Sequence, residues 1–563
     1  KQGDGELLLS GTNTYTGTTT ISAGTLKVSG ALADSSVVDI KSGTYQLASK
    51  DTIGGLSGSG SVELDGHQLT VNQAASTSST FSGVISGAKA GSDLVKDGAG
   101  DVVLSGANTY TGSTAISAGT LTVSGSLPDS TIVDVSSGAK YQLNKADEIG
   151  GLQGTGIVDL NGNGLTVDIV DANSSTSFAG TIEGVSSASS LSKSGPGILK
   201  LSGVNTYEGP TNVDGGVLEI SNAAALGASG SSANGTLIGA GDALHLVGDS
   251  STDGFKLSEV LELGGSSGEE AKIQLVSGNA TITNPIRLIG ESAIEALSGE
   301  LLLDDLSSSS GSNVIFADDK SCGASDPCNL RIGGDPSAEG GVVKTFLDQS
   351  SSSASDGIDL GNGGLTVNNN VIFRISGDST YSGQVLIDSA ELQVADPGAL
   401  GQPSIYVVEN KAKLSFLTDL PTESSPSNPP DVVTLGAGDQ IIFVASGHTV
   451  VLNGVTFKGV GNAVKDGDGA LEYFDSSNGG TGKLEYTGET KVLAGSFDVS
   501  AGEIATSSIT CSGSGTSNLC ATGLISDSEG SGQQDLQPEE PKPEPPKPEE
   551  PKPEPPKPEE PKP

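Results

Sequence analysis

Few residues of this 563-residue chain have the types and spacing of a catalytic site. Residues 264–268 read Gly-Gly-Ser-Ser-Gly, which fits the G-x-S-x-G pattern of a nucleophile elbow. That elbow requires a turn from a strand into a helix, whereas Glu269 and Glu270 follow and indicate an exposed turn. Nothing in the spacing of the three histidines brings one to a serine and an acid. We therefore predict no catalytic residue.

The three histidines are predicted to have structural positions. His67 lies in VELDGHQLTV, and the corresponding run VDLNGNGLTV has Asn163 at that place, so a side chain that does not titrate is tolerated there. His245 lies in the alternating run ALHLV, and His448 lies at the start of the run HTVVL. Both runs are typical of strands.

A calcium loop is the alternative interpretation of the turns rich in glycine and aspartate. Residues 159–164 read DLNGNG, the first half of an EF-hand loop, but Val170 stands where the loop requires its final Glu. Gly-Asp-Gly occurs singly at 3–5 and at 467–469, unlike the tandem repeats of calcium-binding β-rolls. We predict structural turns, no bound metal and, since no phosphate-binding glycine loop occurs, no cofactor.

Four cysteines form two close pairs, Cys322 with Cys328 and Cys511 with Cys520. An even count at short spacing predicts two small disulfide loops in an oxidising compartment. A metal site is the alternative, but neither pair is C-x-x-C and histidine is scarce.

The elements that position these residues are set by a repeat. Residues 1–30, 96–125 and 193–222 carry one segment three times, at offsets of 95 and 97 residues. Apolar residues alternate within it, as Leu26 and Val28 do around Lys27. Gly, Ser, Asn and Asp bound each run, so the pattern predicts short strands joined by turns, and no helix.

One tyrosine recurs with the segment, as Tyr15, Tyr110 and Tyr207. We expect these side chains to be exposed and to pack on turns. A row of aromatic rings could also bind sugars. Tyrosines 95 residues apart, however, cannot lie side by side on adjacent coils.

Short strands repeated in this way predict an all-β fold, a right-handed parallel β-helix. Coils of about 24 residues would place four coils in each repeated unit. A propeller would instead show blades of about 40–50 residues. A sandwich array would show a richer aromatic core than the 4% aromatic content of this chain.

Four regions are predicted along the chain. Residues 1–222 form a regular β-helix of two units and the start of a third, and 223–505 form a degenerate β-helix with insertions. Residues 506–537 hold the second cysteine pair and a linker. Residues 538–563, in which EEPKPEPPKP occurs twice, form a disordered polyproline II tail.

The net charge of −41 argues against nucleic-acid binding, because phosphate backbones are repelled by an acidic surface. No apolar run reaches the ~18 residues of a membrane-spanning helix. A surface of this charge favours solubility.

Three motifs resemble the passenger-associated transport repeat of bacterial autotransporters. They are G-x-G-x-L-x-L-S-G-x-N-T-Y-T-G at 3–17, T-x-I-S-A-G-T-L at 19–26 and F-S-G-x-I-x-G at 81–87. The resemblance implies a β-helix exported through its own outer-membrane translocator barrel, which these 563 residues do not contain. It also implies display on the bacterial surface or secretion.

We expect an adhesin or self-association factor that binds host-cell surface or matrix molecules, or other copies of itself. The alternatives are a polysaccharide or ester hydrolase or lyase built on the β-helix, and a display stem for a head removed before residue 1. Because the repeats encode stacking, recognition is expected where repetition fails, at 223–357 and around 402–480.

Overall fold

The computed structural model describes most of the first 517 residues. The described ranges are 1–229, 234–248, 255–266, 268–303, 314–318, 321–322, 327–334, 342–345, 357–401, 405–419, 432–453, 456–474, 483–487, 489–499, 503–504, 508–511 and 516–517. The predicted proline-rich tail lies outside them. A compact unit covers Lys1–Ile525.

Strands and turns make up the described ranges, with one short 3-10 helix at Pro397–Leu400. No helix in these ranges has the length and apolar character needed to cross a membrane. Every pairing between described strands is parallel, as a β-solenoid requires. The predicted all-β parallel solenoid is thereby confirmed.

The chain passes three faces in a fixed order on each turn. The first face consists of strands Glu6–Leu9, Thr25–Val28, Thr44–Leu47, Ser61–Glu63, Val84–Gly87, Thr109–Tyr110, Asp147–Ile149, Leu165–Asp168, Leu191–Ser194, Thr211–Val213, Thr236–Gly239, Leu261–Gly264, Ile286–Leu288, Ile315–Ala317, Ile358–Gly361, Thr380–Tyr381, Thr449–Asn453, Ala470–Phe474, Ser496–Val499 and Thr516–Ser517.

The second face is a continuous ladder. Its strands are Asp51–Ile53, Leu69–Asn72, Leu94–Asp97, Thr114–Ile116, Ile132–Val135, Gly151–Gly154, Ser175–Phe178, Ile198–Leu201, Val217–Ile220, Ala243–Val247, Ala271–Ser277, Ser292–Ala296, Leu330–Gly334, Leu365–Asn368, Val385–Asp388, Ile405–Glu409, Val432–Leu435, Thr456–Gly459, Lys483–Tyr486 and Glu503–Ile504.

The third face completes each turn. Its strands are Thr19–Ile21, Val37–Ile40, Gly55–Gly58, Ser78–Phe81, Asp101–Leu104, Thr120–Val123, Lys140–Leu143, Ile157–Asp159, Thr181–Glu183, Phe255–Leu257, Ala280–Ile282, Glu300–Leu303, Val342–Thr345, Ile372–Ile375, Glu391–Val394, Lys413–Phe416, Asp439–Val444, Asn462–Asp466, Glu489–Val492 and Ser508–Cys511.

Alternate residues of each strand point into the solenoid. Leu26, Tyr45 and Val62 are buried and occupy one register position on successive strands of the first face. Val38 and Ile40 are likewise buried on the third face, while Asp39 between them faces outward. The predicted inward and outward positions are therefore right, and like residues stack into one continuous core.

The repeated segment does not lie on one face. Its ELLL strand is on the first face at Glu6–Leu9, on the third at Asp101–Leu104 and on the second at Ile198–Leu201. From the first copy at Glu6–Leu9, four full turns bring the chain back to the first face at Val84–Gly87. The chain then crosses the second face and reaches the second copy on the third face, at Asp101–Leu104. Each unit thus spans four and two-thirds turns, and the prediction of four whole coils is wrong.

Variable turns account for this difference. Tyr45 pairs with Val62, 17 residues further on, whereas Leu165 pairs with Leu191, 26 residues further on. Both turns have a strand on each of the three faces, so the difference in length lies in the corners between the strands.

Candidate binding groove

The repeated tyrosines are core residues in two of the three copies. Tyr110 and Tyr207 are fully buried, and their hydroxyls lie 2.6 Å from the Oγ1 atoms of Thr114 and Thr211. Burial raises the pKa of both phenols. The expectation of exposure is therefore wrong for these two, whereas packing on the following turn is observed. Tyr15, in the first copy, is 43% exposed.

A buried lysine opens the second and third copies of the segment, and the sequence interpretation missed it. Lys96 is 1% and Lys193 0% exposed. The Lys193 Nζ donates to the carbonyl oxygens of Ser194, Gly195 and Gly215 at 2.7, 2.7 and 2.9 Å. Burial lowers the pKa of Lys193 to about 8. Each ammonium group thus forms hydrogen bonds to two successive turns inside the solenoid.

A fourth copy of this arrangement lies near the end of the described chain. Lys465 is 2% exposed and donates to the carbonyls of Asp466, Gly467 and Ala494. Tyr486 and Thr490 form the matching hydroxyl pair. The available signal was K-x-G-x-G, which stands at 1–5, 96–100, 193–197 and 465–469.

The serine and histidine positions do not form a catalytic site. Ser266 exchanges two backbone hydrogen bonds with Glu269 in a tight turn, and the strand Ala271–Ser277 follows, not a helix. His67 lies in a turn and donates its backbone N–H to Leu64. His245 faces outward from the strand Ala243–Val247, and His448 directly precedes Thr449–Asn453.

The calcium-like run at 159–164 is a turn. Asn161 has φ 47° and donates its N–H to the Asp159 side chain at 3.1 Å. Gly162 follows with φ 80°. Among the described residues, no cluster of three metal-ligating side chains occurs.

One predicted cysteine pair lies within the described residues. Cys322 and Cys328 are joined by a disulfide, with Cα atoms 5.2 Å apart. Cys328 is 2% exposed and directly precedes Asn329, where the chain enters the second face. Cys511 ends a strand of the third face, but Cys520 lies outside the described residues, so the pairing of these two stays a prediction.

A groove of about 390 Å³ opens on the second face, between the turns at 270 and 386. An outward register row passes through it: Lys272, Ala293, Arg331, Thr366 and Leu386 occupy matching positions on successive strands. The groove is lined by Glu270, Glu291, Asn329, Leu330, Arg331, Asn362, Gly364, Thr366, Gly383, Gln384 and Leu386.

Arg331 is the organising side chain of the groove. Its Nε and Nη2 donate to the carboxylate of Glu270 at 2.8 and 2.7 Å, and Nη2 also donates to Glu295 at 2.5 Å. Glu270 lies two turns away, and the small side chain of Ala293 on the intervening strand leaves room for this reach.

The paired charges stabilise one another. Burial alone would raise the pKa of Glu270, but the hydrogen bonds and charge of Arg331 outweigh it and hold this pKa below its usual value. The two carboxylates outweigh burial in the same way and raise the pKa of Arg331. Gly333 lies beside them, and because a Cβ there would lie 2.5 Å from the Arg331 Nη1, a side chain at this position would displace the guanidinium.

The fold and the copied segments define a repeat-built parallel β-solenoid, with the groove as a recess on its second face. The family model for the passenger-associated-transport-repeat matches residues 1–28, 94–123 and 191–220. The adhesin BmaC autotransporter of Brucella suis biovar 1 (strain 1330) is 30% identical over 340 residues, 56% of this chain and 9% of the relative. No solved structure matches the chain.

These findings confirm the predicted resemblance, because the chain carries the transport repeat three times and is similar to an autotransporter adhesin, as a passenger domain would be. Such a passenger is displayed at the outer-membrane surface or secreted, which is the predicted location. The chain spans about a tenth of the relative's length, since its match covers 9% of that protein.

Proposed function

We propose that this passenger is an adhesin that acts by binding host-cell surface or matrix molecules, or further copies of itself. The observation that carries the proposal is the 30% identity to an autotransporter named as an adhesin, which extends over 56% of the chain. The aligned length far exceeds the three repeat matches. The similarity therefore reaches sequence that is outside the transport repeats.

The solenoid suits adhesion because its outward residues form long polar rows. Lys200, Glu219 and His245 occupy successive positions in one such row of the second face, and Gln274 and Glu295 continue it. Flat polar surfaces of this kind make many modest contacts. Many copies displayed together bind strongly through avidity.

Binding without turnover is favoured over the hydrolase alternative. A general acid at neutral pH requires a carboxyl group whose pKa is raised. The groove carboxylate Glu270 has a lowered pKa. Both Glu270 and Glu295 accept hydrogen bonds from Arg331. Ser266, the other chemical candidate, lies in a turn with no described helix after it.

The proposal is tested with beads that carry the purified chain. Coated beads are mixed with epithelial cells, with immobilised matrix proteins, and with one another. Control beads carry an unrelated protein of similar net negative charge. We expect at least tenfold more attachment or clumping than with the control. Equal behaviour in all three assays would exclude adhesion by this chain.

A further inference from the structure

We propose that the groove on the second face is a saccharide site that takes uncharged sugars rich in hydroxyl groups. The inference rests on the proposed adhesive function and names the ligand class of one part of the surface. It is carried by three features of the groove: a notch between two amides, an arginine already bound by two carboxylates, and an apolar edge.

The notch is built by register. Leu330, Leu365 and Val385 pair in successive strands, so the residues before them, Asn329, Gly364 and Gln384, also lie side by side. Two amide side chains therefore flank a glycine, at about 9.6 Å from each other across two strand spacings. Gly383 has no side chain and leaves further space at the same corner. The recess is open and lined with amides.

Hydrogen-bonding groups in the recess are available to a ligand. Gln384 is exposed, and neither its amide nor the Thr366 hydroxyl has a hydrogen bond within the described residues. Asn329 uses only its Oδ1, as the acceptor for the Gly364 N–H at 2.9 Å, so its NH₂ group remains available. Amides and hydroxyls both donate and accept, as neighbouring sugar hydroxyls require.

The charged groups disfavour an anionic ligand, since the carboxylate of Glu291, which accepts a hydrogen bond from the Gly268 N–H at 3.0 Å, adds a negative charge to the lining. Arg331 is already bound by two carboxylates, so an anionic ligand would have to compete with Glu270 and Glu295. The carboxylate of Glu270 is held by two hydrogen bonds from Arg331, which weakens its attraction for a cation. The Arg331 Nη1 makes no hydrogen bond to a described residue and lies beside Gly333.

An apolar edge completes the site. Leu386 follows Thr366 in the outward row and lines the groove, so it offers a surface for the C–H face of a sugar ring. None of the described residues that line the groove is aromatic. Because stacking on an aromatic ring is absent, each site is expected to bind weakly, and adhesion would depend on many sites acting together.

The test uses the purified full chain and five immobilised polymers. Mannan, galactomannan and dextran are the neutral polysaccharides, heparin is the anionic probe and polylysine is the cationic probe. Binding is measured by biolayer interferometry at 0.15 M salt. We expect binding to at least one neutral polysaccharide. Binding only to heparin or polylysine, or to none of the five, would overturn the proposal.

Two variants locate the binding. Thr366→Val with Gln384→Leu removes a hydroxyl and an amide that make no internal hydrogen bonds, so folding and melting temperature should be unchanged. Binding to the neutral polysaccharide should fall at least tenfold. Gln153→Leu removes an outward amide elsewhere on the same face and should leave binding as in the wild type. Equal binding by the double variant would place the sugar elsewhere and refute the groove.

The two proposals fail in different ways. If beads attach to cells but the chain binds no neutral polysaccharide, adhesion stands and the saccharide site falls. If the chain binds a neutral polysaccharide through the groove but coated beads attach to nothing, the site stands and adhesion falls.

Discussion

The buried lysines are the strongest test of the structure at the scale of single residues. Lys193→Met keeps the length and the apolar stem but leaves three carbonyl oxygens without their donor. Unsatisfied buried acceptors are costly, so we expect a loss of about 2–4 kcal/mol in local stability. Hydrogen exchange of the amides in Leu191–Ser194 and Thr211–Val213 measures it directly.

Lys200→Met is the matched control for that variant. The Lys200 side chain is 41% exposed and forms a surface ion pair with Glu219 at 2.9 Å. Exposed pairs contribute little, so the change should stay under about 1 kcal/mol. If both variants lost the same stability, the internal hydrogen bonds of Lys193 would not have the role assigned to them.

Glu259 predicts a pH dependence of stability. This carboxyl is 2% exposed, and burial raises its pKa to about 8, against which the hydrogen bond from Thr236 acts only partly. The folded state therefore holds a proton between pH 4.5 and 8 that the unfolded state releases. This contribution to stability is complete below pH 4.5 and is lost as the pH rises through 8.

Glu259→Gln should remove that dependence, because the amide resembles the protonated acid. Wild type and variant should melt alike at pH 4.5, and the variant should be the more stable at pH 9. Melting curves at both pH values measure the difference in stability between the two proteins. A constant difference between the two proteins would show that Glu259 does not change protonation in this range.

Single residues also show what the sequence could not reveal. Lysine is read as an outward residue in an alternating strand, and Lys27 fits that rule. Lys193 breaks it, since the turns of this and the next coil supply carbonyls that are close only in the folded chain. The repeated K-x-G-x-G run marked the position, but it carried no sign of burial.

At the scale of elements, one glycine of the repeat tests the stacking of turns. A Cβ at Gly106 would lie 1.9 Å from the carbonyl oxygen of Gly83, whereas one at the equivalent Gly11 would meet nothing within 4 Å. Gly106→Ala should therefore cost about 1–3 kcal/mol through overpacking. Gly11→Ala, in the same motif, should be neutral. Thermal melting and exchange at Thr109–Tyr110 distinguish the two.

Strand identity was predictable, whereas strand placement was not. Period-two alternation gave the inward residues of Val37–Ile40 and Thr44–Leu47 correctly, because burial on one face decides that pattern. The four-coil unit failed because coil length is set at the corners. Corners differ in length while the strand sequences of the repeat stay alike, so the second copy begins on a different face from the first.

The groove depends on pairings that span distant parts of the sequence. Arg331 and Glu270 are 61 residues apart, and the contact forms because the small side chain of Ala293 lies between them on the ladder. The sequence placed recognition at 223–357, where repetition is weak, and the groove begins in that region. Its other wall, at Gly364, Gly383 and Gln384, could be located only from the register of the strands.

At the scale of the whole molecule, charge should control self-association. The net charge of −41 makes neighbouring copies repel each other over the Debye length, about 10 Å at 0.1 M salt and 3 Å at 1 M. We expect a monomer at pH 7 in low salt and association at pH 7 in 1 M salt. Analytical ultracentrifugation measures the mass in both conditions.

Acidification should act in the same direction, because the isoelectric point is about 4.1. Between pH 7 and 4.5 the repulsion fades while buried carboxyls such as Glu259 favour the folded state, so association precedes acid unfolding. Circular dichroism at each pH checks that the strands persist. A mass that stays monomeric both in 1 M salt and at pH 4.5, with strands intact, would rule out association limited by charge and leave binding to other molecules as the adhesive activity.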